Sequence, residues 1–462
     1  MGTKFEPIGL TPLDHIPAKV YIPYMLFFNS SDPSTALRTI QNGINKLIAE
    51  IPWLAGDIVI HSQPETRGYI HPPGSALHEV PMLAVKHFES DEDFHAHPTQ
   101  EYIPIPFFVP ASQQRPVLRF QANMFPTKVT LVMSFMHMAL DGSGAGAVLQ
   151  ALSECCKAVA AELPESAQMP ATQTISSSSV NLRNQVSSWP SKCQTRLDHS
   201  QELGPSAFDS NVSAEQWGAM ESALISASAT YRITISPEKV AHLKALCTKL
   251  LPQLHQLFDP SSPLSTNDII TAILSISIDR VLRPDQGENP DPTHVFMVVD
   301  LRSRVTPPLP ETYVGNMIYT LWGHIPYSQD NSNDVLHLTQ LALHIRTTIT
   351  ASMNETLAYS IAAAVTEKGN WCSIEGKPAD IIVTSWRHLK IFALDFGPGL
   401  GHIEDFESGF AIIPGSCVVL PQRTREVHPV VPVPWEILVT LRAGDYEKLI
   451  RDPLLSQVLV DL

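Results

Sequence analysis

The sequence predicts an α+β protein whose two folded halves are similar in size. The 462 residues are too many for one ordinary core, since a domain usually takes about 100–200 residues. Segments with helical periodicity alternate with β-rich runs whose order fits mostly antiparallel sheets, and this pattern occurs twice along the chain. We therefore expect an N-terminal domain over residues 1–163, a crossover or linker over 164–228 and a C-terminal domain over 229–462, with some exchange of strands between the halves.

The first half contains a helix, a strand and a second helix that are visible in the side-chain pattern. Ile40, Ile44, Leu47 and Ile48 form an apolar stripe with helical spacing, and the stripe ends in a turn. The run KVTLVMSF (128–135) is β-rich and long enough to cross a sheet. After a glycine-rich turn, residues 144–163 have the pattern of an amphipathic helix of about five turns.

The middle of the chain differs in composition from both halves. Residues 164–228 are rich in Ser, Gln, Asn and Pro and lack clear periodicity, which is typical of a linker. Trp189 and Trp217 indicate that this stretch is held against the protein surface. The second half begins with a strand and a helix over 231–250, and Ser265 to Asp268 cap the next helix. Another helix is predicted over 334–353, and further strands are predicted over 294–304, 317–326, 380–386, 409–413 and 435–441.

Composition and charge exclude several classes of protein. The hydrophobic fraction of 44% and the charged fraction of 17% are those of a globular chain. The net charge of −15 and the lack of basic runs argue against a nucleic-acid partner. No apolar run approaches the ~20 residues that a membrane span needs, and the N-terminal residues lack the apolar core typical of a signal peptide, so we expect no membrane partner and a cytoplasmic protein. The six cysteines lack metal-site spacing, so we expect free thiols and no metal.

One histidine stands where a strand passes into a glycine-rich turn. In SFMHMALDGSGAG (134–146), His137 follows the β-rich run. Its ordinary pKa of about 6.5 leaves the ring neutral at cellular pH, so His137 is a candidate general base. Asp141 could contact His137 four residues away, or it could point away and fix the loop through an arginine. On this stretch alone, a buried histidine before an Asp-Gly turn is the commoner arrangement.

Two segments carry a resemblance to a known family. His-x-x-x-Asp-Gly after an apolar strand resembles the signature of BAHD acyltransferases, which are CoA-dependent and belong to the chloramphenicol acetyltransferase-like superfamily. VTSWRHLKIFALDFGPGLG (383–401) resembles the family segment that ends in Asp-Phe-Gly-Trp-Gly, with Pro398 in place of Trp. Weaker similarities follow in the family's order over 10–14, 51–58, 264–274, 299–316 and 439–454. The whole resembles fungal specialised-metabolite O-acetyltransferases and covers nearly all of the chain except 164–228.

The resemblance implies a fold and a reaction. It implies two chloramphenicol acetyltransferase-like domains, each a mixed or mostly antiparallel sheet flanked by helices, with a channel between them. The co-substrate would be acyl-CoA, most simply acetyl-CoA, and the acceptor a hydroxyl of a small apolar metabolite. His137 would take the hydroxyl proton in a direct transfer within a ternary complex, without a bound cofactor. The sequence has no G-x-S-x-G elbow that would supply a serine nucleophile, and we expect a monomer.

The resemblance also assigns roles around the histidine. Asp141 and Gly142 would shape the active-site loop, and Asp141 would pair with an arginine of DLRSR, either Arg302 or Arg304. Breaking such a buried pair would leave an unpaired charge.

The second segment would contribute on two sides of the site. Trp386, through its indole N–H, and Thr384 would lie on the oxyanion or acceptor side, although either could equally be a core residue of a strand. Away from the histidine, the family motif would shape the domain interface or the CoA channel, and its residues here are Asp395, Phe396, Gly397 and Gly399.

Three alternatives remain open from the sequence. The same fold could use an acyl donor bound to a carrier protein, although condensation domains usually have a second histidine where this chain has Met136. The acceptor could be an amine rather than a hydroxyl. The fold could also be a degenerate binding module, although His137, Asp141 and Gly142 are all in place.

Overall fold

The computed structural model describes residues 4–63, 65–74, 80–91, 99–110, 113–161, 170–192, 204–205, 214–254, 263–284, 292–325, 334–352, 354–375, 379–409, 413–426 and 429–460. Within these ranges no helix combines the length and the apolar character needed to cross a membrane.

Nine α-helices lie in the described ranges, and five of them begin at a side chain that accepts a hydrogen bond from the first turn. Ser265 and Asp268 form the two reciprocal bonds of a capping box at the helix that the sequence predicts there. The helices are α1 (Pro33–Glu50), α2 (Gly142–Ala160), α3 (Pro170–Ser187), α4 (Ala214–Ala227), α5 (Pro237–Leu250), α6 (Thr266–Leu282), α7 (Asp334–Ser352), α8 (Glu355–Thr366) and α9 (Tyr446–Ile450).

The strands of the described ranges form two large sheets and two small ones. They are β1 (Ile8–Gly9), β2 (Tyr21–Asn29), β3 (Asp57–His61), β4 (Arg67–His71), β5 (Leu83–His87), β6 (Leu118–Met124), β7 (Lys128–Met136), β8 (Gly204–Pro205), β9 (Ser228–Ile235), β10 (Thr293–Asp300), β11 (Ile318–Ile325), β12 (Ile374–Glu375), β13 (Ile381–Ser385), β14 (Asp405–Ser408), β15 (Ser416–Val419) and β16 (Trp435–Arg442). Of the strand predicted at 409–413, residues 410–412 lie outside the described ranges, and the next strand observed is β15.

Both large sheets are mixed and mostly antiparallel. One has the order β14-β2-β7-β6-β5 and the other the order β11-β10-β13-β15-β16-β9. Only β5–β6, β10–β13 and β13–β15 pair in parallel within the described ranges. The small sheets have the orders β1-β4-β3 and β12-β8. The predicted α+β class is therefore confirmed.

The strand β7 is the centre of the first sheet. It is buried from Val129 to Met136, because β2 and β6 flank it and the adjoining helices cover it. The predicted apolar stripe of α1, from Ile40 to Ile48, is buried in the same core. Burial of this much apolar surface holds the C-terminal end of β7, and the residue that follows it, in a fixed place.

The two halves exchange a segment of chain. Trp386, Phe396 and Phe406 follow β13 of the second sheet in the chain, yet they are buried in the core of the first half. Strand β14 then pairs with β2 and forms an edge of the first sheet. In the other direction, Leu13 and Ile16 lie in the core of the second half. The packing therefore does not follow a simple division at residues 163 and 229.

Regular structure also occurs in the segment that the sequence indicates as a linker. Helices α3 and α4 both lie within residues 164–228. The helix α3 packs on α2, with Ile175 and Val186 fully buried. Its few apolar residues are widely spaced among serines and asparagines, which explains why periodicity does not reveal it. Trp189 is buried as expected, whereas the side chain of Trp217 lies outside the described structure.

Candidate active site

Strand β7 delivers His137 to the point where the two halves meet. The strand ends at Met136, and the N–H of His137 continues the pairing by donating to the carbonyl of Val20 at 2.9 Å. From the second half, Nδ2 of Asn316 donates to the carbonyl of His137 at 2.8 Å. Both backbone groups of His137 are therefore fixed, one by each half of the protein.

The ring of His137 is held in one tautomer. Its Nδ1 lies 3.1 Å from the carbonyl oxygen of Leu140. A carbonyl oxygen can only accept a hydrogen bond, so Nδ1 carries the hydrogen and Nε2 keeps its lone pair. Burial lowers the pKa of His137, and this outweighs the opposing effects of Asp141 and of hydrogen bonds to the ring. The neutral, proton-accepting form is thus the resting state near neutral pH.

Asp141 is fully buried and begins helix α2. Its Oδ1 accepts from the N–H of Gly144 at 2.8 Å, and its Oδ2 accepts from the N–H of Met317 at 2.9 Å. Nη1 and Nη2 of Arg302 each donate to one carboxylate oxygen at 2.8 Å. Burial alone would raise the pKa of Asp141, but Arg302 and these N–H groups hold it below its usual value. The carboxylate makes no hydrogen bond to His137, so no Asp-His dyad forms.

The choice between the two candidate arginines falls on Arg302. Its guanidinium is buried, and it also donates to the carbonyls of Tyr313 and Gly315. Arg304 lies two residues further along a short 3-10 helix and is exposed. The bidentate pair with Asp141 ties the first turn of α2 to the segment that follows β10.

Gly142 lets the segment from the second half approach α2 closely. A Cβ at residue 142 would lie 2.7 Å from Nε1 of Trp386 and 2.9 Å from the hydroxyl of Tyr24. Only glycine leaves room for both contacts. Trp386 is buried and stacks edge to face on Tyr24, with ring centroids 4.9 Å apart. Its indole N–H donates no hydrogen bond within the described part of the chain.

Thr384 lies in β13, two residues before Trp386 and opposite Val418 of β15. Its side chain is partly buried, and its hydroxyl makes no hydrogen bond to the described residues. Sequence reasoning placed Thr384 and Trp386 together, and the structure shows direct contact with the histidine turn only for Trp386, at Gly142.

A cavity of about 290 Å³ opens beside the first turns of α2. It is bounded by α2, by the chain after β10 and by the chain after Trp386, and its lining residues are Ser143, Gly146, Ala147, Gln150, Asp300, Arg302, Ser303, Glu311, Thr312, His388, Leu389, Lys390, Ile391 and Leu394. His137 is not among them, but the cavity begins only two residues beyond Asp141. Charged side chains of both signs line it, together with apolar side chains of α2 and of the chain after Trp386.

Sequence reasoning missed a hydrogen-bonded cluster in this cavity. The hydroxyl of Ser143 lies 3.1 Å from Oδ2 of Asp300 and 3.0 Å from Nε2 of His388. Burial lowers the pKa of His388, while Asp300 acts in the opposite direction. The sequence offered one signal for this cluster, because two of its members lie next to predicted site residues. Ser143 directly follows Gly142, and His388 lies two residues after Trp386.

The DFGPG segment lies at the other end of α2 from His137. Gly397 approaches Lys157, and Gly399 approaches Ala36 of α1. At about 1.5 Å per residue, the helix carries this contact roughly 20 Å from Gly142. Asp395 accepts from the N–H of Gly397 at 2.9 Å, so its carboxylate closes the turn. Phe396 is fully buried against Phe28, which fixes the segment in the core of the first half.

Comparison with known proteins settles the family. A family model described as the Transferase family matches residues 100–425. The chain belongs to the Transferase family. It is 31% identical to the fumigaclavine B O-acetyltransferase of Aspergillus fumigatus, over 99% of this chain and 98% of that one. It is 30% identical to the communesin N16 acyltransferase of Penicillium expansum, over 98% of this chain and 97% of that one.

A solved structure shares the whole fold. TRI101 of F. graminearum, solved with coenzyme A and deoxynivalenol, is similar at a TM-score of 0.74 and 18% identity, covering 98% of this chain and 99% of that one. These matches confirm the predicted resemblance to BAHD-type acyltransferases, and the protein is an acyltransferase. Among the described residues, no cluster of three or more His, Cys, Asp or Glu is arranged to hold a metal ion.

Proposed function

We propose that this acyltransferase moves an acyl group, most simply acetyl, from acyl-CoA to a hydroxyl of a small apolar specialised metabolite. The observation that carries the proposal is the fixed tautomer of His137. Its Nδ1 is bonded to the carbonyl of Leu140, which leaves Nε2 as a proton acceptor at the junction of the two halves. The relatives named as O-acetyltransferases support the acyl group and the acceptor atom.

The proposed transfer is direct and needs no acyl-enzyme. Nε2 of His137 takes the proton of the acceptor hydroxyl while its oxygen attacks the thioester carbonyl. The tetrahedral intermediate then breaks the carbon–sulfur bond, and the departing CoA thiolate receives the proton from the imidazolium. A positioned base of this kind contributes about 10²–10⁴-fold. Holding both substrates together removes much of the entropic cost of their encounter.

The oxyanion of the intermediate requires hydrogen-bond donors. In this proposal the indole N–H of Trp386 is one donor, because it has no acceptor within the described chain and lies against Gly142. Thr384 is a second candidate donor on the same segment. Asp141 and Arg302 hold the loop rather than the substrate, since their polar atoms bond to each other and to the backbone.

The cavity beside α2 is proposed as part of the substrate channel. It is lined from both halves and adjoins the histidine turn, and polar side chains such as Gln150 and Lys390 reach it. The TRI101 structures of F. graminearum hold coenzyme A together with deoxynivalenol or T-2 mycotoxin, which supports a shared cleft for a CoA ester and an acceptor. Asp395, Gly397 and Gly399 are proposed to support the CoA side of this channel indirectly, by holding α1 and α2 in place.

A second candidate function is N-acylation by the same machinery. The relative from Penicillium expansum is named as an acyltransferase at a nitrogen, and it is nearly as similar as the O-acetyltransferases. A neutral His137 can take a proton from an attacking amine as readily as from a hydroxyl. The proposed cytosolic location and monomeric state come from the sequence and belong to this proposal as well.

The first prediction concerns the substrates. Purified protein incubated with fungal metabolite extracts and acetyl-CoA is expected to yield a product heavier by one acetyl group, detected by liquid chromatography and mass spectrometry. Mild alkaline hydrolysis removes the group if it is an ester and leaves it if it is an amide. Matched reactions receive malonyl-CoA or an acetylated carrier protein. Transfer only from the carrier protein, or CoA binding without any product, would contradict the proposal.

A further inference from the structure

A buried carboxylate, that of Asp14, is linked by hydrogen bonds to the residues that hold the His137 turn. Asp14 is fully buried, and its two oxygens together accept five hydrogen bonds. Thr11 donates to Oδ2 from its N–H at 2.7 Å and from its hydroxyl at 2.9 Å. Asn316 donates to Oδ1 from its N–H at 2.8 Å and from Nδ2 at 3.1 Å. The fifth donor is Arg183, whose Nη1 lies 2.6 Å from Oδ2.

Two of these partners also hold the turn that contains His137. Nδ2 of Asn316 donates to the carbonyl of His137 at 2.8 Å. Nη2 of Arg183 donates to the carbonyl of Ala139 at 2.8 Å. Asp14 therefore links two residues that each donate to the backbone of this turn. Asn316, which precedes β11, holds the carbonyl of His137, and Arg183 of α3 holds the carbonyl of Ala139. The same turn ends at Leu140, whose carbonyl fixes the tautomer of His137.

The orientation of the Asn316 side chain follows from its partners. Nδ2 meets two acceptors, the carboxylate of Asp14 and the carbonyl of His137, so the amide cannot be reversed without placing oxygen against oxygen. This leaves Oδ1 buried and without a hydrogen-bond partner within the described residues. An unpaired buried amide oxygen costs free energy and therefore calls for an explanation. The side chain of Asn316 is among the groups that raise the pKa of His137, which is the direction in which a nearby amide oxygen acts when the ring becomes positive.

We propose that Asn316, held by Asp14 and Arg183, is a positioning residue that steadies the His137 turn and stabilises the imidazolium formed during transfer. In the resting enzyme the ring is neutral, and Oδ1 of Asn316 has no partner. When His137 takes the acceptor proton, the ring becomes positive beside a preoriented oxygen that needs no rearrangement. This inference rests on the proposed role of His137 as the general base.

The two carboxylates near the His137 turn, Asp141 and Asp14, are each paired with an arginine. Asp141 faces His137 from the start of α2 and raises the pKa of His137, but its charge is shared with Arg302. Asp14 faces the turn from the opposite side, and its charge is paired with Arg183. Removal of the Asn316 side chain takes one of the five hydrogen bonds from Asp14 but leaves its ion pair with Arg183. It removes no contact of the Asp141–Arg302 pair, so both charges beside the turn stay paired when the pH dependence of catalysis is measured.

The second prediction is a change in both rate and pH profile for Asn316→Ala. We expect kcat to fall about 10- to 100-fold, because the base is less well placed and its cation less stabilised. The KM for acyl-CoA should stay within about twofold, since Asn316 is not among the residues that line the cavity. Because Asn316 raises the pKa of His137, its loss should lower that pKa. The acid limb of kcat/KM should then move to lower pH, which a purely structural residue would not cause.

The control is Asn123→Ala. Asn123 is also fully buried and also donates from Nδ2 to a backbone carbonyl, that of Tyr102, but it lies at the far end of β6. It should lower the thermal midpoint without moving the acid limb. If Asn316→Ala is not recovered folded, Asn316→Ser is measured instead, with the same expected shift of the acid limb. An acid limb that stays in place in the folded variant overturns the proposal, whether or not kcat falls. If His137→Ala itself retains full activity, the proposed function fails first and independently.

Discussion

A single backbone carbonyl decides which nitrogen of His137 is available for chemistry. The tight turn over residues 137–140 brings Leu140 back onto Nδ1, so the ring needs no carboxylate to fix its tautomer. Asp141, which the sequence leaves as a possible partner of the histidine, is instead saturated by Arg302 and backbone N–H groups. The short distance in sequence between the two residues therefore reflects the geometry of the loop and not a catalytic pair.

The third prediction concerns the buried ion pair. Arg302→Met removes the partner of a fully buried carboxylate, so we expect the free energy of unfolding to fall by roughly 3–5 kcal/mol. Arg304→Met is the matched control, because Arg304 is exposed on the same short helix, and a surface change of this kind costs about 0.5 kcal/mol or less. Urea unfolding monitored by circular dichroism measures both. Equal losses in the two variants would contradict the assignment of Arg302.

At the residue scale, the sequence could indicate the base but not the groups around it. His137 and Asp141 follow from a strand, a turn and a family signature. The sequence could not decide which arginine pairs with Asp141, because Arg302 and Arg304 are separated by one residue. Which of the two side chains is buried depends on the short 3-10 helix that carries both. Asn316 lies 179 residues from His137 in sequence, and no local pattern announces such a contact. The same is true of Ser143, Asp300 and His388, which meet only through the packing of three separate segments.

Helix α2 spans the distance between the two segments that carry the family resemblance. Its first turn carries Asp141 and Gly142, and its last turns carry the contact with Gly397. The DFGPG segment therefore packs against both α1 and α2, and we expect it to affect the site by fixing the position of α2. Pro398 fits this role, because its carbonyl accepts from the hydroxyl of Thr39 at 3.0 Å and its own missing N–H is not needed there.

The fourth prediction tests the packing of the DFGPG segment on α1 by comparing two glycines that both have a positive φ angle but differ in how closely other atoms approach them. Gly399 and Gly401 have φ angles of +79° and +65°, so alanine at either position costs about 1–2 kcal/mol in backbone strain. A Cβ at residue 399 would also lie 2.6 Å from the backbone nitrogen of Ala36, whereas nothing lies within 4 Å at residue 401. Gly399→Ala should therefore lower the thermal midpoint clearly more than Gly401→Ala. Identical midpoints would contradict the close packing on α1.

At the scale of elements, the sequence predicted helices and strands correctly where apolar residues repeat with a regular spacing. It missed helix α3, in which they do not. The stripe of α1, the strand β7 and the capped helix α6 are all present where the sequence predicts them. Helix α3 is different, because its buried apolar residues, such as Ile175 and Val186, are few and widely spaced. Arg183 adds a polar attachment by donating to Asp14 and to the carbonyl of Ala139. Because α3 is rich in serine and has few apolar residues, its composition resembles that of a linker.

For the whole molecule, the two halves are predictable but their interlocking is not. Alternating helices and strands repeated twice suffice for the α+β class. The assignment of β14 to the first sheet requires pairing with β2, nearly 400 residues earlier in the chain, and a run of four residues does not indicate which sheet it joins. The exchange matters for function, since it carries Trp386 and His388 to the start of α2. The candidate site thus combines residues of the first half, which include His137, Asp141 and Ser143, with Arg302, Trp386 and His388 of the second half.

The most direct test of the central claim, that one histidine at this junction acts as the base, is the kcat of His137→Ala with the acceptor found in the metabolite assay. We expect kcat to fall by about 10²–10⁴-fold, with an unchanged thermal midpoint and unchanged affinity for CoA. His294→Ala is the control, because His294 lies at the end of β10 away from Asp300 and should leave kcat unaffected. A His137→Ala variant whose kcat stays within about tenfold of the unsubstituted enzyme would contradict the account.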